Sequence, residues 1–167
     1  MWIIVDGYNL IRRVATLRER ERRELAEGRR ALCALLAGYR RIRGHHRITV
    51  VFDGQGNPGG AKTERAAGIE VRYTRPGDSA DRLIVRLARE GRDGALVVSS
   101  DREVAGAAAA AGAAAASCEE FADRLEAAAM ADLRGGEDAY DAPAPKGGPA
   151  RRLPRAERRR AAALRRL

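Results

Sequence analysis

The sequence predicts an α/β domain built on a mainly parallel sheet, and three observations predict it. Short apolar runs rich in β-branched residues recur along the chain, helical stripes lie between them, and three runs stop at an acid. Runs of this kind suit strands buried on both faces, and strands alternating with helices build a parallel sheet covered on both sides.

The first run spans residues 2–5 and ends at Asp6-Gly7; the second spans 48–52 and ends at Asp53-Gly54. Residues 69–73 alternate apolar and polar side chains, and 95–98 form a further buried run leading into Ser99-Ser100-Asp101. A strand over 113–116 would be pure alanine, a poor strand former, so the expected sheet has four to five strands. Leu25, Leu32, Leu36 and Tyr39, joined by Leu35 and Ile42, mark a helix reaching to about Arg43. Ala80, Leu83, Ile84, Leu87 and Ala88 mark a shorter one, with Asp78 placed to cap it. Helices over 102–111 and 119–130 complete the alternation, and Ser117 with Glu120 match a capping box.

The 167 residues suffice for one domain with a core, which at 4% aromatic content must be mostly aliphatic. We expect the domain over 1–134, a Gly- and Pro-rich linker over 135–150, and an Arg-rich tail with helical potential over 151–167. The net charge of +9 is a property of that tail: residues 146–167 carry +8 and the rest of the chain +1. Such a cationic segment attracts a polyanion. Nucleic acid suits it better than a membrane, because no long apolar stretch accompanies it; a merely solubilising tail is the plain alternative. No span approaches the ~20 apolar residues of a membrane helix, and Asp6 comes too early for a signal peptide, so the expected compartment is the cytoplasm. Cys33 and Cys118 show no paired spacing and are expected to be packing residues.

In an open parallel sheet, functional groups gather outside the C-terminal ends of the strands. Asp6, Asp53 and Asp101 arrive there, and Asp81, in the first turn of its helix, borders the face that looks toward the same edge. A four-carboxylate cluster is costly without a cation, and oxygen donors with a helper amide, Asn9, suit Mg²⁺ or Mn²⁺. Such an ion activates water for attack on a phosphodiester. Each acid also has a plainer role: Asp6 and Asp53 as members of Asp-Gly turns, Asp81 as a first-turn acid, and Asp101 as a cap shared with Ser99 or Ser100. Gly56, Lys62 and Thr63 approach a phosphate-binding loop, but Ala61 replaces its second glycine, and the stretch also fits a flexible lid. Tyr8 stands where a haloacid-type phosphatase needs its second acid.

The segment Val5-Asp6-Gly7-Tyr8-Asn9-Leu10-Ile11 resembles the opening motif of the NYN domain, in the YacP-like group of PIN-like ribonucleases. The resemblance continues through Val50-Val51-Phe52-Asp53, Ser79-Ala80-Asp81, Val97-Val98-Ser99-Ser100-Asp101-Arg102, and Ser117 followed by Phe121. It implies a PIN-like, Rossmannoid three-layer domain that cleaves RNA endonucleolytically with a divalent metal. Carried over by position, it makes Asp6, Asp81 and Asp101 the leading metal ligands, with Asn9 and Asp53 supporting. Arg12, Arg13 and the tail residues Arg151, Arg152, Arg155, Arg158 and Arg159 would hold RNA phosphates, with Tyr8 beside the site for a base. The tail motivates a ribosome, or mRNA bound to one, as the source of specificity. The rival is a PIN-like module that binds RNA or the ribosome and does not cut.

Overall fold

Alternation of side chains along the strands sorts the core into two layers, one on each face of the sheet. In the computed structural model, which describes residues 1–44, 46–54, 61–75, 77–133 and 154–167, the first half runs β1 (Trp2–Asp6), α1 (Gly7–Arg13), α2 (Ala15–Arg23), α3 (Leu25–Ile42), β2 (Arg47–Phe52), β3 (Lys62–Ala66) and β4 (Ile69–Tyr73). There follow α4 (Ala80–Gly91), a 3₁₀ turn (Arg92–Gly94), β5 (Ala95–Val98), α5 (Arg102–Ala110), β6 (Ala114–Ala116), α6 (Cys118–Leu133) and α7 (Arg155–Leu164). Ile3, Val5, Val50, Phe52, Leu96 and Val98 pack under α1, α3 and α6, whereas Ile4, Val51 and Val97 pack under α4 and α5. This period of two is what a strand buried on both faces requires. The result is a three-layer α/β domain.

The sheet has six strands, in the order β3-β4-β2-β1-β5-β6, and is parallel except for β3 against β4. The expectation of four to five strands is corrected by β3. Its sequence, KTERA, offers no apolar run, and pairing with β4 rather than burial makes it a strand. Charged side chains on such an edge also discourage pairing with another chain. The alanine strand β6 does form, because pairing with β5 and the burial of Ala114 and Ala116 outweigh a poor propensity. Helices α1 and α2 escaped the pattern, since Leu10, Ile11 and Leu17 are their only large buried side chains. The cap of α4 is Ser79, accepting from Arg82 N, and not Asp78. Ser117 and Glu120 make the full reciprocal box, with N–H bonds of 3.0 and 3.1 Å.

Helix α7 is seated on the domain, where the sequence separated it as a tail. Ala163 and Leu167 enter the larger core, and the Leu167 carbonyl accepts a buried 2.7 Å hydrogen bond from the Tyr39 hydroxyl. Arginines surrounding these few apolar residues hid the stripe. The expected linker at 135–150 lies outside the described residues. Removing a buried hydrogen bond costs on the order of 1 kcal/mol, so Tyr39→Phe is expected to lose about that much in urea denaturation; an unchanged midpoint would deny this docking. Among the described residues, no helix is long and apolar enough to cross a membrane.

Candidate functional site

The parallel register brings the ends of β1, β2 and β5 to one edge. Val5 lies opposite Val98, so Ser99 arrives beside Asp6. Asp6 leaves β1 and immediately caps α1: Oδ1 accepts from Asn9 N at 3.2 Å, and Oδ2 accepts from Asn9 Nδ2 at 3.3 Å and from the Ser99 hydroxyl at 3.1 Å. Asn9 Nδ2 also donates to Ser99 Oγ at 3.2 Å, and Asp101 N donates to the same oxygen at 3.2 Å. Asp6, Asn9 and Ser99 thus form one hydrogen-bonded unit with the next acid tied to it. Ser99 is 3% exposed and was missed as a site residue. Its signal is the Ser-Ser-Asp that follows β5, which reads equally well as a helix cap.

The other acids surround this unit. Asp53 follows β2 and its Oδ1 accepts from Ala80 N at 2.8 Å, which ties the start of α4 to the edge. Asp81, on the first turn of α4, is exposed. Asp101 caps α5, its Oδ1 accepting from Glu103 N and Val104 N at 2.7 and 3.2 Å. Desolvation pushes the Asp6 carboxyl above its ordinary value, against its hydrogen bonds from Asn9 and Ser99 and with a push from the Asp53 charge. Asp81 is also raised, by desolvation first and then by the charges of Asp6, Asp101, Asp53 and Glu103. Four acids therefore share one electrostatic field. The four acids expected at this edge act on one another as charges, though among the described residues no three His, Cys, Asp or Glu side chains form a group able to hold a metal. One oxygen each of Asp53 and Asp101 is turned into a helix start instead.

Tyr8 is half-buried, its ring edge-on to Phe52 at 5.0 Å, and its hydroxyl accepts from Arg29. The Arg29 guanidinium lies 5.4, 5.5 and 5.3 Å from the rings of Tyr8, Phe52 and Tyr73, a cation held against aromatic faces. One arginine among many on α3 carries no sequence signal of this role. Arg12 is exposed on α1, and Arg13 pairs with Glu119 at 2.9 Å. Arg155 and Arg158 are exposed on α7, whereas Arg159 donates to the Gly112 carbonyl; Arg151 and Arg152 lie outside the described residues. Lys62 and Thr63 belong to β3, and no helix start follows them, which removes the phosphate-loop reading. Cys33 and Cys118 are buried free thiols, and burial pushes Cys118 up to about 11.

A mainly parallel sheet with acids gathered at its C-terminal edge defines a PIN-like α/β domain. The profile of the YacP-like NYN domain matches residues 3–164, and the chain belongs to that family, which is related to the PIN-like nucleases. A crystal structure of Rae1 (YacP) from Bacillus subtilis superimposes with a TM-score of 0.67 at 26% identity, covering 80% of this chain and 78% of that one. A second crystal structure, of a point mutant of the same protein, gives 0.66 at 26% identity over 80% and 79%. YacP of Bacillus subtilis (strain 168) is 32% identical over 87 residues, 52% of this chain, a match spanning 51% of the length of that relative.

Proposed function

We propose that this protein is a metal-dependent endoribonuclease. The observation that carries the reading is the shared field of Asp6, Asp53, Asp81 and Asp101, in which Asp6 and Asp81 are both pushed toward the protonated form. Charges gathered in this way call for a cation. The donor set is oxygen only, which fits Mg²⁺ or Mn²⁺. Such ions keep several waters and take a substrate phosphate, so acids spread along an edge suit one without enclosing it.

Asp6, Asp81 and Asp101 would hold the ion, which supplies an activated water and charge stabilisation for phosphodiester hydrolysis. Asn9 and Ser99 fix the Asp6 carboxylate through its two oxygens. Asp53 positions Asp81 by anchoring the start of α4. Tyr8, held by Arg29, offers a ring to a base near the edge, and Arg12 offers a charge to a backbone phosphate. The products expected are a 5′-phosphate and a 3′-hydroxyl. RNA is the substrate class, the cytoplasm the compartment, and a ribosome or ribosome-bound mRNA the partner that would add sequence choice.

The open arrangement of the acids favours one second reading, an RNA- or ribosome-binding module that does not cut. Labelled RNA incubated with Mn²⁺ or Mg²⁺ separates the two. Wild type should cleave and Asp81→Asn should lose about 10²-fold or more in rate. Equal cleavage by both would remove Asp81 from the site; binding by wild type with no cleavage under either metal would favour the second reading.

A further inference from the structure

A hollow of about 600 Å³ opens at the opposite edge of the sheet from the acids, lined by Arg89, Arg92, Arg155, Arg159 and a single acid, Asp93. Arg89 belongs to the last turn of α4, Arg92 follows it, and Arg155 and Arg159 come from α7. Two distant parts of the chain therefore deliver arginines to one place. Among the described residues none of the four makes an ion pair, although eight other basic side chains do. The C-terminal end of a helix attracts cations, which accounts for Arg89 and Arg92 singly. It does not account for α7 adding two more, since guanidiniums gathered together repel one another.

Two details mark the hollow as built for a ligand. Arg92 has φ +46° and ψ −129°, a conformation that L side chains rarely adopt and that glycine would take without strain. Arg159 is fastened through Nη1 to the Gly112 carbonyl, while its Nε is buried with no hydrogen-bond partner. The remaining lining, Ala110, Ala111 and Gly112, gives an apolar side chain little to pack against.

We propose that this hollow is a second RNA-binding site, which grips consecutive backbone phosphates at a distance from the acidic edge. Arginine forks match phosphate oxygens, and a row of them matches a polymer better than a single ion. Arg155, Arg158 and Arg159 fall at helical spacing that continues the track along one face of α7. The choice of RNA rests on the nuclease reading; the convergence of the arginines does not. The site holds RNA while the acidic edge works on a segment further along.

The test measures binding of an RNA hairpin by fluorescence anisotropy over a salt series, in EDTA so that cleavage plays no part. Wild type is compared with the triple variant Arg89→Ala, Arg92→Gly, Arg155→Ala and with Asp6→Asn; Arg159 stays because it fastens α7. The triple variant should bind at least about tenfold more weakly near 100 mM salt, and its salt slope should fall by about 2 to 3. Its melting temperature should hold, since Arg92→Gly removes backbone strain. Asp6→Asn should bind as wild type does. Unchanged affinity and slope in the triple variant would overturn the site, and stronger competition by poly-glutamate than by RNA of equal charge would overturn the assignment to RNA. Failure of cleavage by wild type would overturn the nuclease reading and leave this binding result standing.

Discussion

Asp6→Asn is expected to lower the RNA cleavage rate by about 10²- to 10³-fold while leaving the protein no less stable than wild type at pH 7. Both halves follow from the same carboxylate. Asp6 is 9% exposed, and desolvation raises its pKa above the value of the unfolded chain. The folded state therefore binds the Asp6 proton more tightly than the unfolded state does. Its contribution to stability is complete below the unfolded value and is lost as pH rises through the raised one. Ionised Asp6 works against folding at neutral pH, and the neutral amide removes that penalty at the expense of acceptors now used by Asn9 and Ser99. Asp81 is shifted in the same direction, so wild type should gain stability from these two groups on mild acidification, and activity should decline over the same window as the carboxylates take up protons. Thermal melts and cleavage rates measured across that range check both. A variant that loses activity only because it unfolds would contradict the assignment.

Gly54→Ala is expected to be the most damaging small substitution near the site, at about 3 kcal/mol, or roughly 6–12 °C in melting temperature. A Cβ at this position would lie 1.8 Å from the Thr74 carbonyl oxygen, and the Gly54 N–H donates to Thr74 Oγ1 at 2.9 Å. Main chain meets main chain here, so no rotamer change relieves the clash. The segment after β2 would shift, and with it Asp53 and its bond to the start of α4. Cleavage should therefore fall along with stability. A melt within about a degree of wild type would show that the two segments do not approach this closely.

The sequence disclosed most where burial is densest. β1, β2 and β5 are continuous apolar runs, and an acid at or just past the end of each made their shared edge visible before any coordinate. Asp81 was legible because helical spacing relative to Ile84 and Ala88 set its direction. What stayed hidden depends on contacts between distant segments. β3 is a strand through its pairing with β4, and its composition does not reveal that. Ser99 is defined by bonds to residues about ninety positions away, and Arg29 by three rings from three different strands and helices. Seating of α7 depends on Ala163, Leu167 and Tyr39, which are separated by most of the chain. The orientation of the acids is hidden for a related reason: helix starts compete for the same oxygens, and spacing alone does not show that one each of Asp53 and Asp101 accepts a backbone N–H.

The most direct measurement incubates a circular RNA, which has no ends for an exonuclease, with the purified protein and Mn²⁺ or Mg²⁺, then repeats the incubation in EDTA and after the metal is restored. The account predicts linear products bearing 5′-phosphates with metal, none in EDTA, and recovery on restoration. Cleavage that persists in EDTA, or an intact circle under every metal tested, would contradict it.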